Sequence, residues 1–164
     1  MTTTFHADEI FEMAEEIERN GARYYNRAVD FVSNPEQKKL LKELAVMENE
    51  HESTFAKLRA QLNSWYQPAS VYDPDDQVAL YLRAMADGHV FDIRANPCDM
   101  LKPQTTMKDI LHIALECEKN SILFYLGIKD MIPSEAEKHK IDYIIHEERN
   151  HITLLSSQLA LLKS

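Results

Sequence analysis

No Cys-x-x-Cys pair occurs anywhere in the chain; its two cysteines, Cys98 and Cys117, stand alone. That excludes zinc ribbons and rubredoxin-type iron sites, which need paired thiolates, and leaves both residues to be read as reduced core thiols. Glycine is scarce too, with three in 164 residues, which favours long helices over a turn-rich β architecture. No apolar run approaches the roughly 18 residues that a bilayer span requires, and the start MTTTFHADE has neither the basic nor the apolar region of a signal peptide. No membrane partner is expected, and the expected location is the cytoplasm. Basic residues are outnumbered 18 to 27, for a formal net charge of -9. Nucleic acid is therefore not expected as a partner, because phosphate binding needs a basic stripe.

What the chain does contain is a repeat at an offset of one hundred. Phe11, Ala14, Glu18, Gly21, Tyr25, Ala28 and Val32 fall at steps of three and four and line one side of a helix. The same face returns as Leu111, Ala114, Glu118, Ser121, Tyr125, Ile128 and Ile132. A second stripe runs Leu41, Leu44, Glu48, His51, Phe55, Leu58, Leu62, and its echo runs Ile141, Ile144, Glu148, His151, Leu155, Gln158, Leu162. Each copy of the second stripe sets Glu-x-x-His into a largely apolar seam.

Start and stop signals turn these stripes into helices. The first is expected to begin between Thr4 and Asp8 and to run to about Val32, with Asp8, Glu9 and Glu12 where the helix dipole favours acids. Asn34 and Pro35 open the second, with Gln37 placed to complete a capping box. Thr106 with Asp109 opens the third, which runs to about Met131; Pro133, Ser134 and Glu137 mark the stop and the next start. Between them, at about 64–104, Pro68, Pro74, Pro97 and Pro103 exclude one continuous helix. This crossover is expected to hold a short helix from Gln77 to about Ala86, closed by Gly88, and a turn near Cys98 to Leu101, with Trp65, Tyr66, Tyr72 and Phe91 covering the bundle or meeting a second subunit. The fold class is all-α: a four-helix bundle of two repeated hairpins joined by a long crossover, in one domain over 1–164.

Burying an ionised carboxylate costs several kcal/mol or more unless a charge compensates it. Glu18, Glu48, Glu118 and Glu148 carry four negative charges between them, and two divalent cations would balance them, with His51 and His151 ligating as neutral imidazoles. Tyr25 and Tyr125, two turns beyond the first acid of each half, are placed to hydrogen-bond ligating carboxylates. Glu15, Glu16, Glu50, Glu52, Glu116 and Glu147 leave the seam and read as solvated or supporting groups. His6, His89, His112, His139 and His146 have no counterpart in the repeat.

At these residues the sequence resembles the ferritin-like diiron-carboxylate family, in its rubrerythrin-type branch: E18RNGARYY25 and E118KNSILFY125 resemble its Glu-x6-Tyr helices, and E48NEH51 and E148RNH151 its Glu-x-x-His helices. The resemblance implies two irons held by Glu18, Glu48, His51, Glu118, Glu148 and His151, with Glu48 and Glu148 bridging and Glu18 and Glu118 terminal; manganese or zinc could substitute. It implies a non-haem diiron oxidoreductase that reduces hydrogen peroxide or dioxygen, a role in oxidative-stress protection. Electrons would come from an external protein such as a rubredoxin, since no rubredoxin module is encoded here. Ser121 stands where peroxide-reducing relatives tend to carry an extra carboxylate, which leaves a symmetric six-ligand site. Iron sequestration with ferroxidase activity and oxygenation of a small organic substrate are the alternatives, the latter using space beside Gly21 and Ser121. A homodimer is expected.

Overall fold

A computed structural model describes residues 7–65, 77–86 and 95–162, and every regular element among them is helical. Helix α1 spans Ala7–Ala28 and tightens into a 3₁₀ turn, Val29–Phe31; α2 spans Pro35–Ala60, and the short α3 Leu62–Trp65. Helix α4 covers Gln77–Ala86, and a second 3₁₀ turn covers Pro97–Met100. Helices α5, Met107–Met131, and α6, Glu135–Leu161, complete the set. The sequence-based boundary near Val32 thus falls at Ala28, with the last turn wound more tightly.

The caps explain most boundaries. Asn34 Oδ1 accepts from the backbone N–H of Glu36 at 2.8 Å and of Gln37 at 3.3 Å, with Pro35 in the first helical position. Thr106 and Asp109 satisfy each other's backbone N–H groups at 2.9 and 3.3 Å. Ser134 occupies the N-cap of α6, but its hydroxyl makes no capping bond. Asn96 opens the second 3₁₀ turn by accepting from Cys98 N. Gly88, Tyr66, Tyr72 and Phe91 lie outside the described residues.

Helix α1 packs along α2 and α5 along α6, while α1 meets α5 and α2 meets α6. The predicted stripes form the interior of this bundle, and they sort into two apolar clusters. One gathers Phe11, Ala14, Phe55, Tyr125, Ile128 and Ile141 at one end. The other gathers Tyr25, Ala28, Leu41, Leu111, Ala114 and Leu155 at the other. Adding or subtracting one hundred carries Phe11, Phe55 and Ile141 of the first onto Leu111, Leu155 and Leu41 of the second, so the pseudo-twofold relation of the hairpins exchanges the ends. The seam's final turn departs from expectation: Leu159 is buried, Gln158 is half-buried and Leu162 is exposed. An apolar side chain one residue along takes the inward place as the helix drifts against its seven-residue pattern.

The crossover elements close the ends. Leu82 and Met85 of α4 join the first cluster with Val78 packed against it, and Tyr81 donates to the Leu123 carbonyl of α5. Helix α4 approaches so closely that a Cβ at Gly127 would stand 2.7 Å from the Tyr81 ring. Leu101, just beyond the second 3₁₀ turn, joins the other cluster with Cys98 packed beside it. Outside the bundle, Arg59 binds Asp8 at 2.7 and 2.8 Å, and Arg19 binds Glu52 at 2.9 Å, tying α1 to α2.

Candidate metal centre

Between the two apolar clusters lies a single polar layer. Glu18 on α1, Glu48 and His51 on α2, Glu118 on α5, and Glu148 and His151 on α6 all project into it, none more than 4% exposed. Spacing dictates the convergence: Glu48/His51 and Glu148/His151 are one helical turn apart on their helices, and Glu18 and Glu118 sit at the equivalent height on the partner helix of each hairpin. The structure therefore brings together all six residues that the repeat singled out.

Glu148 is at the centre. Its Oε1 lies 3.0 Å from His51 Nδ1 and its Oε2 lies 3.0 Å from His151 Nδ1. Glu18 Oε2 is 3.4 Å from His51 Nδ1, while Glu48 Oε1 and Glu118 Oε1 are 3.4 and 3.5 Å from His151 Nδ1. The imidazole rings are stacked with centroids 5.7 Å apart. Two ligand groups result, Glu18/Glu48/His51/Glu148 and Glu48/Glu118/Glu148/His151, each with one donor atom per residue within 4.8 Å of the others. Glu48 and Glu148 belong to both.

The donors meet a simple test for cations. Glu18 Oε2, Glu48 Oε1, both Glu148 oxygens and Nδ1 of both histidines are buried without a hydrogen-bond partner among the described residues. Such atoms are rare in folded proteins because each loses its hydration without replacement. They point at one another, and hard oxygen donors with one imidazole per group suit a pair of divalent metals. This donor set fits a dinuclear metal site.

Protonation shows the same frustration. Burial pushes the Glu148 carboxyl up, and the charges of Glu48 and Glu118 push it further, to about 8. Burial and the charges of Glu118 and Glu18 hold Glu48 well above the ordinary carboxylate range, and burial with Glu148 raises Glu18. Burial would lower the His51 imidazole, but Glu148 and Glu18 overturn that and raise it to about 12; His151 is raised in the same way by Glu118, Glu148 and Glu48. Among the four acids of the layer only Glu118 is lowered: burial opposes it, and His151 prevails. Protons thus neutralise the layer where cations would.

The two phenols reach across the bundle. Tyr25 of α1 donates to Glu118 of α5, and Tyr125 of α5 donates to Glu18 of α1. Sequence spacing placed each phenol on the same face as its own hairpin's acid; the structure pairs each with the acid of the other hairpin. Burial and the facing carboxylates raise both phenols well above their ordinary range, so they remain donors.

Around this layer the remaining acids separate. Glu16 and Glu52 pair with Arg19, Glu15 faces Arg59 at 3.5 Å, Glu116 pairs with Lys119, and Glu50 is exposed. Glu147 differs, since its Oε2 is 2.9 Å from His51 Nε2. Nothing in the sequence distinguishes it from the other flanking acids: like Glu15 and Glu52, it has an apolar counterpart, Met47, at the hundred offset. His112, His139 and His146 are exposed and belong to neither ligand group, although His112 lines the cavity that reaches Glu48 and Glu118; His6 and His89 lie outside the described residues.

A cavity of about 620 Å³ leads to the layer between α1 and α5, beside the second 3₁₀ turn. Its walls include Ile17, Tyr24, Met100, Ile113 and Cys117, and its floor reaches Gly21, Ser121, Glu48 and Glu118. Gly21 gives Glu48 its room, since a Cβ there would stand 3.2 Å from Glu48 Oε2. Burial, with the charges of Glu118 and Glu48, pushes the Cys117 thiol up to about 12.

Residues 2–59, essentially the first hairpin, match the family model described as Rubrerythrin. Among solved structures, a crystal structure from Thermotoga maritima described as a ferritin-like diiron-carboxylate protein is similar over 98% of this chain and 98% of its own, at 25% identity and a TM-score of 0.74. Comparison with curated proteins gives no match. The second hairpin, outside the family-model match, carries the same Glu, Tyr and Glu-x-x-His pattern.

Proposed function

Starting from a ferritin-like domain of rubrerythrin type, we propose that this protein is a non-haem diiron oxidoreductase that reduces hydrogen peroxide or dioxygen with electrons from an external donor protein such as a rubredoxin. One observation carries the reading: four buried carboxylates and two buried imidazoles turn unpartnered donor atoms toward one another. Glu48 and Glu148, common to both ligand groups, would be shared by the two metals, while Glu18 with His51 and Glu118 with His151 would complete one position each. Bound as Fe(II), the metals would supply the two electrons that cleave a peroxide bond or reduce dioxygen.

The chain's own residues do the rest. Tyr125 binds Glu18 through Oε1, which leaves Oε2 as the ligating oxygen. Tyr25 holds Glu118 through Oε1, the oxygen that also faces His151 Nδ1. Both phenols keep their protons and can offer a hydrogen bond at the carboxylate edge of the site. The apolar clusters on either side exclude water, so charge is balanced within the layer.

Stopped-flow mixing of the Fe(II)-loaded protein with peroxide, and separately with dioxygen, tests this. Oxidation by peroxide far faster than that of free Fe(II) is expected; an equal rate would remove the peroxidase reading. The cavity favours a second reading, oxidation of a small organic substrate, because peroxide needs much less space. Sustained peroxide turnover with a reduced rubredoxin and no organic cosubstrate supports the first reading against the second.

A further inference from the structure

The two histidines have different surroundings on their outer side. His51 Nε2 contacts Glu147 at 2.9 Å, and Glu147 is held in turn by the Tyr143 hydroxyl, which donates to Oε1 at 2.8 Å. His151 Nε2 is buried without a hydrogen-bond partner among the described residues. The position equivalent to Glu147 is Met47, half-buried like Glu147 but with no oxygen to offer, and the position equivalent to Tyr143 is Glu43.

A metal taken by His51 must bind at Nδ1, which faces Glu18 and Glu148. Nδ1 is then a lone-pair donor and Nε2 carries the proton, the tautomer that Glu147 selects by accepting that hydrogen bond. The same carboxylate fixes the ring's orientation and increases the basicity of Nδ1. His151 must find its metal-ready tautomer and orientation unaided. Resting on the dinuclear reading above, we propose that the two metal positions are inequivalent: the Glu18/Glu48/His51/Glu148 position binds more tightly and fills first, with Glu147 as its positioning residue. The Glu48/Glu118/Glu148/His151 position fills second.

Removing an outer-shell partner of a metal-bound histidine typically weakens metal affinity about 10- to 100-fold. Titration of the metal-free full-length protein with Mn(II), following free Mn(II) by electron paramagnetic resonance, reads both steps without any turnover. Two stepwise constants are expected, separated by more than the statistical ratio of identical positions. Glu147→Leu should weaken the first step about 10- to 100-fold and leave the second nearly unchanged, while Glu147→Gln, which keeps an acceptor without the charge, should fall between. Met47→Glu places the missing carboxylate behind His151 and should tighten the second step about tenfold. Thermal melts of each variant establish that it folds. Two steps at the statistical ratio in the wild type, or unchanged constants in both Glu147→Leu and Met47→Glu, would overturn the inequivalence while leaving the dinuclear site standing. Failure of the wild type to bind Mn(II) at all would remove the site itself.

Discussion

In the first hairpin the polar layer is backed by Gly21 and Met47; in the second, the same places hold Ser121 and Glu147. The six layer residues are identical between halves, and so is the crosswise phenol pairing, yet the supporting residues are not. The back of α5 is covered by α4 at Gly127, whereas the equivalent position on α1 is the exposed Arg27. Repetition has kept what converges on the centre, and difference has collected one side chain further out. A site can therefore look symmetric in its ligands while its two halves are held with unequal firmness.

The comparison can be broken most severely at the shared ligands. Glu48→Ala and Glu148→Ala should each reduce metal content, measured by elemental analysis, from two ions per chain to one or fewer; two ions retained in Glu48→Ala would refute its bridging role. Next comes the covered helix. Gly127→Ala forces a methyl into the Tyr81 ring and should lower stability by about 1–3 kcal/mol in chemical denaturation. Arg27→Ala, which loses an exposed contact to Asp30 and a cation–π contact with the Phe31 ring, should change it by about 1 kcal/mol or less.

Tyr25→Phe and Tyr125→Phe sharpen the symmetric part. Each removes a buried hydrogen bond to a carboxylate and should cost about 1.5–3 kcal/mol, by similar amounts in denaturant titrations. Clearly unequal losses would show that the inner layer is asymmetric as well. The pH dependence tests the layer as a whole. Glu148 and His51 have raised values in the folded state, so their contribution is complete below about 4.5 and 6.5 respectively, and is lost as pH climbs toward about 8 and about 12. Glu118, lowered, acts in the opposite direction only on acidification below its ordinary range. The metal-free protein should thus melt at progressively lower temperature between about pH 5 and pH 8, a slope that saturating Mn(II) should flatten.

The bundle and the convergence of six polar residues were legible because a core stripe is a local pattern: Glu18 and Glu118 interrupt apolar runs at positions that helical geometry must bury. Asn34 and Thr106 were legible for the same reason, since a cap is decided within four residues. The crosswise reach of Tyr25 and Tyr125 was not, because it depends on how one hairpin meets the other. Glu147 was indistinguishable from Glu50 or Glu116, as only the packing of α6 against α2 sets it behind His51. The tightening after Ala28 and the inward turn of Leu159 also follow from tertiary fit, which periodicity alone does not encode.

Cys117 lines the cavity that leads to Glu118, and its thiol is held near 12. At neutral pH such a thiol stays protonated, and the thiolate is the form that oxidants attack. Burial first, and then the negative charge of Glu118 and Glu48, thus keep this thiol in its unreactive form. Under the oxidant reduction proposed above, a half-buried cysteine could stand beside the centre without being consumed.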